Sequence, residues 1–258
     1  MSELNFFDGY RQEPVSIRGA AGKAPMFFRD FHLMGAMFLA DLSKARAALP
    51  KRWHRPLRLP LGKAVVAVHC MEYKDSDIGP YNEISLSIAL KRGWLPLLSL
   101  YQAARSMQSK TFHAYIKALP VTTEVALHGG LDYFNYPKYL ADISFRETLT
   151  HRICTLRDKD SGDVILEFEG RRVGTWSCAA KDDNLMTLYT YPEIGGRVHR
   201  AKLLVNRREC GSAYLRGARL RLTAHPHAEA FQELGLGPVV EYLYAPRCQG
   251  VLFKPEAL

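Results

Sequence analysis

Apolar residues recur along this chain at two periods, and the strand period dominates. Residues 27–39, opening Phe27-Phe28-Arg29-Asp30-Phe31-His32-Leu33-Met34, and residues 65–71 have strand character, and 83–90 alternate cleanly between polar and apolar side chains. Further strands are predicted over 123–127, 141–156, 164–173, 185–190, 198–205, 214–224 and from 239 to about 244. Asp158-Lys159-Asp160-Ser161-Gly162-Asp163 separates two of them with the chemistry of a hairpin turn. Residues 1–25 show no sustained period and contain Gly19, Gly22 and Pro25, which predicts an extended leading segment.

Helical spacing is confined to three places. Asp41 is placed to cap a helix over 42–49 that Pro50 ends, and 227–234 form a short helix closed by Gly235. Between 94 and 118, Pro96 suits a first helical turn, and Leu97, Leu98, Tyr101 and Ala104 follow at helical spacing. Phe112, Tyr115 and Ile116 repeat that spacing after a break near Ser109, predicting one amphipathic helix or a pair. Such a segment packs on the core or a subunit interface, or else forms a lid or meets a membrane surface. Many strands with short turns and few helices indicate a mainly β (α+β) fold, an antiparallel barrel or sandwich. With no repeat, linker or composition break, 1–258 reads as a single domain with a helical insertion at about 94–118.

Composition narrows the class of protein. A hydrophobic fraction of 47% and a charged fraction of 24% over 258 residues are ordinary for a soluble globular chain. The net charge of +9 is spread out, and its densest groups, such as Arg171-Arg172 and Arg207-Arg208, sit beside apolar residues. Solvated strand faces account for that better than nucleic-acid binding, and a positive field also suits small anionic substrates. Five cysteines at irregular positions (70, 154, 178, 210 and 248), with no Cys-x-x-Cys, fit a reducing cytoplasm and buried thiols. No apolar run reaches the roughly eighteen residues needed to span a bilayer, and the N-terminus lacks signal-peptide character. The expectation is a soluble cytoplasmic protein.

Familiar catalytic signatures are missing: no phosphate-cradling Gly-rich loop, no Gly-x-Ser-x-Gly elbow, no dinucleotide fingerprint. His225-Pro226-His227 reads as a surface turn without a matching ligand cluster, and Asp182-Asp183 as a turn between strands. Lys138 stands out, in Gly129-Gly130-Leu131-Asp132-Tyr133-Phe134-Asn135-Tyr136-Pro137-Lys138-Tyr139-Leu140-Ala141. A lysine in so apolar a stretch either snorkels to the surface or is held as a desolvated amine, a nucleophile toward ketones. Glu83, opening an alternating strand, and Arg29, inside an aromatic run, are likewise charges in apolar surroundings. Each taken alone also reads as a snorkelling or salt-bridged residue at a strand end.

Together these segments resemble the acetoacetate decarboxylase-like superfamily, over most of the chain. Asp132 to Ala141 is similar to its active-site signature, Gly79-Pro80-Tyr81-Asn82-Glu83 to its glutamate segment, and Phe28-Arg29-Asp30-Phe31 to its arginine segment. Leu236-Gly237-Pro238-Val239-Val240-Glu241 follows the closing pattern. The resemblance implies a barrel or double-layered sheet, a Schiff base on Lys138, and Glu83 and Arg29 as its catalytic partners. It implies Phe28, Tyr136 and Tyr139 as substrate-binding neighbours, a keto-acid substrate, no metal or organic cofactor, and a homo-oligomer.

The chain departs from the family in three respects. Tyr139 replaces a second lysine, Val68 with His69 beside it stands where an upstream glutamate is expected, and 94–118 is longer than the usual connection. The leading expectation is a Schiff-base lyase decarboxylating a β-keto acid larger than acetoacetate. The alternatives are an aldolase, hydratase or dehydratase using the same lysine, and a non-catalytic barrel binding an anionic ligand. An active Lys138 is expected in a pocket shared with Glu83 and Arg29.

Overall fold

Long apolar–polar alternations become long strands that bury both faces. A computed structural model describes residues 6–50, 54–91, 99–177 and 185–258. The first half of the chain comprises β1 (Glu13–Ile17), β2 (Ala20–Ala24), β3 (Met26–Asp41), α1 (Leu42–Ala47), β4 (Arg58–Leu59), β5 (Lys63–Ser76), β6 (Tyr81–Ala89), α2 (Ser99–Ser109), β7 (Thr111–Val121) and α3 (Glu124–Phe134). The second comprises β8 (Lys138–Glu147), β9 (His151–Asp158), β10 (Val164–Arg171), β11 (Trp176–Ser177), β12 (Leu185–Thr190), β13 (Glu193–Ile194), β14 (Arg197–Tyr214), β15 (Ala218–Leu222), α4 (Glu229–Gln232), β16 (Val239–Leu252) and β17 (Glu256–Ala257).

Seven of these strands close a barrel in the order β14-β16-β3-β5-β6-β7-β12, with β12 returning to β14. Its pairs are antiparallel except β7 with β12, so the barrel is mixed. Strand β7 is shared: residues 111–114 pair with β12, and 119–121 pair, also in parallel, with β8. From β8 a second antiparallel layer runs through β9 and β10 to β15. This barrel with an attached layer matches the expected mainly β class, its parallel junctions lying where the sheet divides.

Alternation along the barrel strands separates two interiors. Met34, Ala36 and Phe38 of β3, Val66, Val68 and Cys70 of β5, and Ile84, Leu86 and Ile88 of β6 face outward. There they pack against Ile143, Leu156, Ile165 and Phe168 of the second layer. The intervening residues, including Phe31, Leu33, Met71, Tyr73 and Tyr81, point into the barrel lumen. A one-residue slip would exchange these faces, so the register is tightly specified.

Several sequence expectations are corrected. Residues 111–118 are strand, not helix: Ala114, Ile116 and Ala118 are buried at period two because β7 is paired on both sides. Only α2 is helical within the expected 94–118 segment, and its residues 94–98 lie outside the described residues. Residues 123–127 begin a helix, for the Thr123 hydroxyl accepts from the Ala126 N–H and caps α3. The leading segment folds as the β1–β2 hairpin. Asp41 caps α1 as expected, accepting from the Ser43 and Lys44 N–H groups. Cys70, Cys154 and Cys248 are buried free thiols, and Cys210 is buried too; Cys178 and Asp182-Asp183 lie outside the described residues. No described helix is long and apolar enough to cross a membrane.

Candidate active site

Lys138 is delivered to the lumen by a helix that must stop abruptly. Asn135 takes a left-handed conformation (φ 49°), its N–H closing α3 on Gly130 and Leu131 carbonyls, and Pro137 prevents the helix from resuming. The chain then enters β8 at Lys138, paired with Leu119 where β7 leaves β12 for the second layer. Gly130 lies directly beneath the lysine stem: a Cβ there would sit 2.3 Å from Lys138 Cδ and Cε. The glycine pair of the sequence is therefore used unequally, since a Cβ on Gly129 would meet its nearest neighbour, Ile17 Cδ1, at 3.4 Å.

The lysine amine donates to Glu83 Oε2 at 2.7 Å, with the two side chains only 7% and 10% exposed. Both line a cavity of about 130 Å³ in the barrel lumen. Glu83 comes from the inward face of β6, paired with Met71 on one side and Val121 on the other. Burial, with the Glu83 charge as a further cause, pushes the Tyr73 and Tyr81 hydroxyls well above their ordinary range. They remain protonated and can donate hydrogen bonds at neutral pH.

Of the expected substrate-binding residues, Phe28 and Tyr136 line the same cavity. Phe28 stacks on Tyr73 with centroids 4.5 Å apart, and the Tyr136 and Thr190 hydroxyls share a 2.6 Å hydrogen bond. Burial pushes the Tyr136 hydroxyl upward, so it too stays protonated.

Two residues are not brought to the cavity. Tyr139 follows Lys138 in an extended strand and so faces the opposite side. It packs on the outer core and stacks on His227 with centroids 4.5 Å apart. Arg29 sits in an irregular part of β3, where the register with β5 shifts on both sides of Asp30. Its guanidinium donates to Asp77 at 2.5 Å and lies 3.6 Å from Asp75. Asp77 also accepts from Gln12 and from the Phe27 N–H, which ties the β5–β6 turn to the leading segment. Arg29 thus secures the barrel rim and is not among the residues lining the cavity. The expected pocket shared by Lys138, Glu83 and Arg29 contains the first two.

The same alternation resolves the departure at 68–69. Val68 is fully buried in the outer core, whereas His69 lines the lumen. Its ring lies across Gly35, where a Cβ would come within 2.3 Å of His69 Cδ2. Burial pushes the imidazole down to about 4, so it is neutral at neutral pH. The sequence marks His69 only as the neighbour of Val68 at the missing glutamate, and it does not mark Ser85, Tyr73, Tyr81 or Thr190 as site residues. Counting by twos from Glu83 along β6, and from Met71 along β5, finds Ser85, Tyr81, His69 and Tyr73. His225 and His227 lie 3.7 and 3.8 Å from the Asp158 carboxylate. Among the described residues no group of three or more His, Cys, Asp or Glu side chains could hold a metal ion.

Among solved structures, an acetoacetate decarboxylase shares 16% identity over 91% of this chain and 89% of its own, with a TM-score of 0.65. The acetoacetate decarboxylase of Legionella pneumophila shares 13% over 100% and 92%, also with a TM-score of 0.65. The enduracididine biosynthesis enzyme MppR, solved in complex with pyruvate, shares 12% over 90% and 89%, with a TM-score of 0.60. At such identities these likenesses concern the fold. No curated protein sequence matches the chain. The acetoacetate decarboxylase (ADC) family profile matches residues 13–251, nearly the whole length, and the chain belongs to that family.

Proposed function

We propose that this protein is a Schiff-base lyase that decarboxylates a β-keto acid, with Lys138 as nucleophile and Glu83 as its proton-transfer partner. The observation that carries the reading is the buried Lys138–Glu83 pair at 2.7 Å, opening onto an otherwise largely apolar lumen. Glu83 takes the ammonium proton, and the freed amine attacks the ketone carbon to give a carbinolamine. Glu83 returns the proton to the departing hydroxyl, and water leaves an iminium. The C–C bond to the carboxylate breaks, its electron pair moving toward the iminium nitrogen, which releases carbon dioxide and a neutral enamine. Protonation of the enamine carbon and addition of water release the ketone and restore the amine. No metal or organic cofactor has a part in this sequence.

Two features favour loss of the carboxylate over chemistry that keeps it. Among the described residues no arginine lines the cavity, and the lysine charge is matched by Glu83. A carboxylate bound there gains most by becoming neutral carbon dioxide, because an apolar medium penalises the charged ground state. Aldol or dehydratase chemistry on a 2-oxo acid retains the carboxylate beside the Schiff base throughout and calls for a fixed cation. Phe28, Phe31 and Ile78 at the upper end of the lumen suit an apolar substituent, which supports a substrate larger than acetoacetate. The test is carbon dioxide release from a series of β-keto acids, with Lys138→Ala as control. Release that depends on Lys138 is expected; adducts on Lys138 without carbon dioxide release would favour the aldolase or dehydratase alternative.

A further inference from the structure

The lumen is layered, and the layers differ in chemistry. Strands β3, β5 and β6 run side by side in register, so each inward-facing row combines one residue from each. Phe31, Tyr73 and Tyr81 form one row; Leu33, Met71 and Glu83 form the next; Gly35, His69 and Ser85 form the third. Successive rows are two residues, or about 7 Å, apart. Lys138 meets the middle row through Glu83. One side of the reacting amine is thus aromatic, and the other side is a floor of imidazole and hydroxyl.

That floor is held open. The missing side chain at Gly35 makes room for the His69 ring, whose Cδ2 and Cγ would lie 2.3 and 3.0 Å from a Cβ there. His69 and Ser85 both line the cavity, and among the described residues neither side chain has a hydrogen-bond partner. Polar groups that face a cavity with no protein partner are available to a ligand, which can supply the missing hydrogen bonds. The imidazole, kept neutral by burial, offers one N–H, and the serine offers one O–H. Two neutral donors without a fixed positive charge can orient a carboxylate while leaving it poorly stabilised.

Resting on the Schiff-base reading above, we propose that His69 and Ser85 form the carboxylate subsite of this enzyme. They donate hydrogen bonds to the substrate carboxylate one row below the reacting ketone and direct the rest of the substrate toward Phe31 and Phe28. In this chain the subsite positions the substrate in the lumen, which Arg29, held by Asp77, does not do.

The proposal separates charged from uncharged ketones, so the test compares acetoacetate with its methyl ester. Each is offered to the protein with cyanoborohydride, and the adduct on the Lys138 peptide is quantified against ketone concentration. Replacing His69 by Leu should raise the half-saturating acetoacetate concentration by roughly 10- to 100-fold, the range for a hydrogen bond to a charged group, with the ester unchanged. Ser85→Ala, which removes only a hydroxyl, should repeat the discrimination at about 5-fold. Variants that shift acid and ester equally, or shift neither, overturn the carboxylate subsite. A wild-type protein that forms no Lys138 adduct with acetoacetate, its ester or any longer β-keto acid overturns the Schiff-base reading, and this inference with it.

Discussion

Adjacent glycines in α3 offer a matched pair of substitutions whose outcomes should diverge. Alanine is favoured over glycine in a helix interior by about 1 kcal/mol, so on propensity alone either change stabilises the protein. At Gly129 the added methyl meets Ile17 Cδ1 at 3.4 Å, an ordinary contact. At Gly130 it would lie 2.3 Å from both Cδ and Cε of Lys138 and 3.1 Å from Cγ. To restore van der Waals separation the lysine stem must withdraw by about 1 Å or more. The stem is flexible, so the stability cost is small, but its amine starts 2.7 Å from Glu83 and cannot follow that movement while keeping the hydrogen bond. Misplacing a reacting group by about 1 Å commonly costs on the order of 100-fold in rate. Gly130→Ala should therefore lower the rate of reductive trapping of keto acids on Lys138 about 100-fold at near-native melting temperature, while Gly129→Ala keeps the native rate. Trapping at the native rate in Gly130→Ala, or equal loss in both variants, would refute the steric argument.

Other perturbations probe the residues around the site. Arg29→Ala should lower stability by about 1–2 kcal/mol in denaturant unfolding, the buried-pair value being reduced because Arg29 is 37% exposed, and should leave keto-acid trapping unchanged. A tenfold loss of trapping would instead put Arg29 in contact with substrate. Tyr139→Phe removes a buried hydroxyl that has no hydrogen-bond partner among the described residues, so it should be neutral or stabilise by up to about 1 kcal/mol, with activity intact. Burial, reinforced by the Arg152 charge, pushes the His32 imidazole from its usual 6.5 down to about 3. Below pH 6.5 the unfolded chain takes up a proton that the folded chain does not, so stability declines as pH falls toward about 3. Between pH 6.5 and pH 5 this costs roughly 2 kcal/mol, and His32→Leu should remove that part of the acid sensitivity measured by denaturant unfolding.

The sequence was most informative where one physical period ruled a segment. Residues 83–90 are legible as strand because β6 is buried on both faces yet keeps Glu83, Ser85 and Ser87 on one of them. Asp41 and Pro50 were legible as punctuation because their effects are local. Residues 111–118 misled because Phe112, Tyr115 and Ile116 happen to fit a helical stripe, whereas two flanking strands impose a period of two. Lys138 and Glu83 could be paired only by resemblance, since 55 residues of chain separate them and barrel closure brings them together. Arg29 lies beyond the reach of local pattern altogether. A register shift in β3 and the arrival of Asp77 from the next turn decide where its guanidinium goes. His69 was within reach, because counting by twos from Met71 puts it in the lumen and Val68 outside.

The central claim is that Lys138 forms a covalent imine with a keto acid. Borohydride reduction in the presence of β-keto acids, followed by mass mapping of proteolytic peptides, tests it most directly. The account predicts a reduced adduct on the peptide carrying Lys138, absent in Lys138→Ala and much diminished in Glu83→Gln. An adduct on other lysines only, or none with any β-keto acid in the series, would contradict it and favour a barrel that binds its ligand without covalent chemistry.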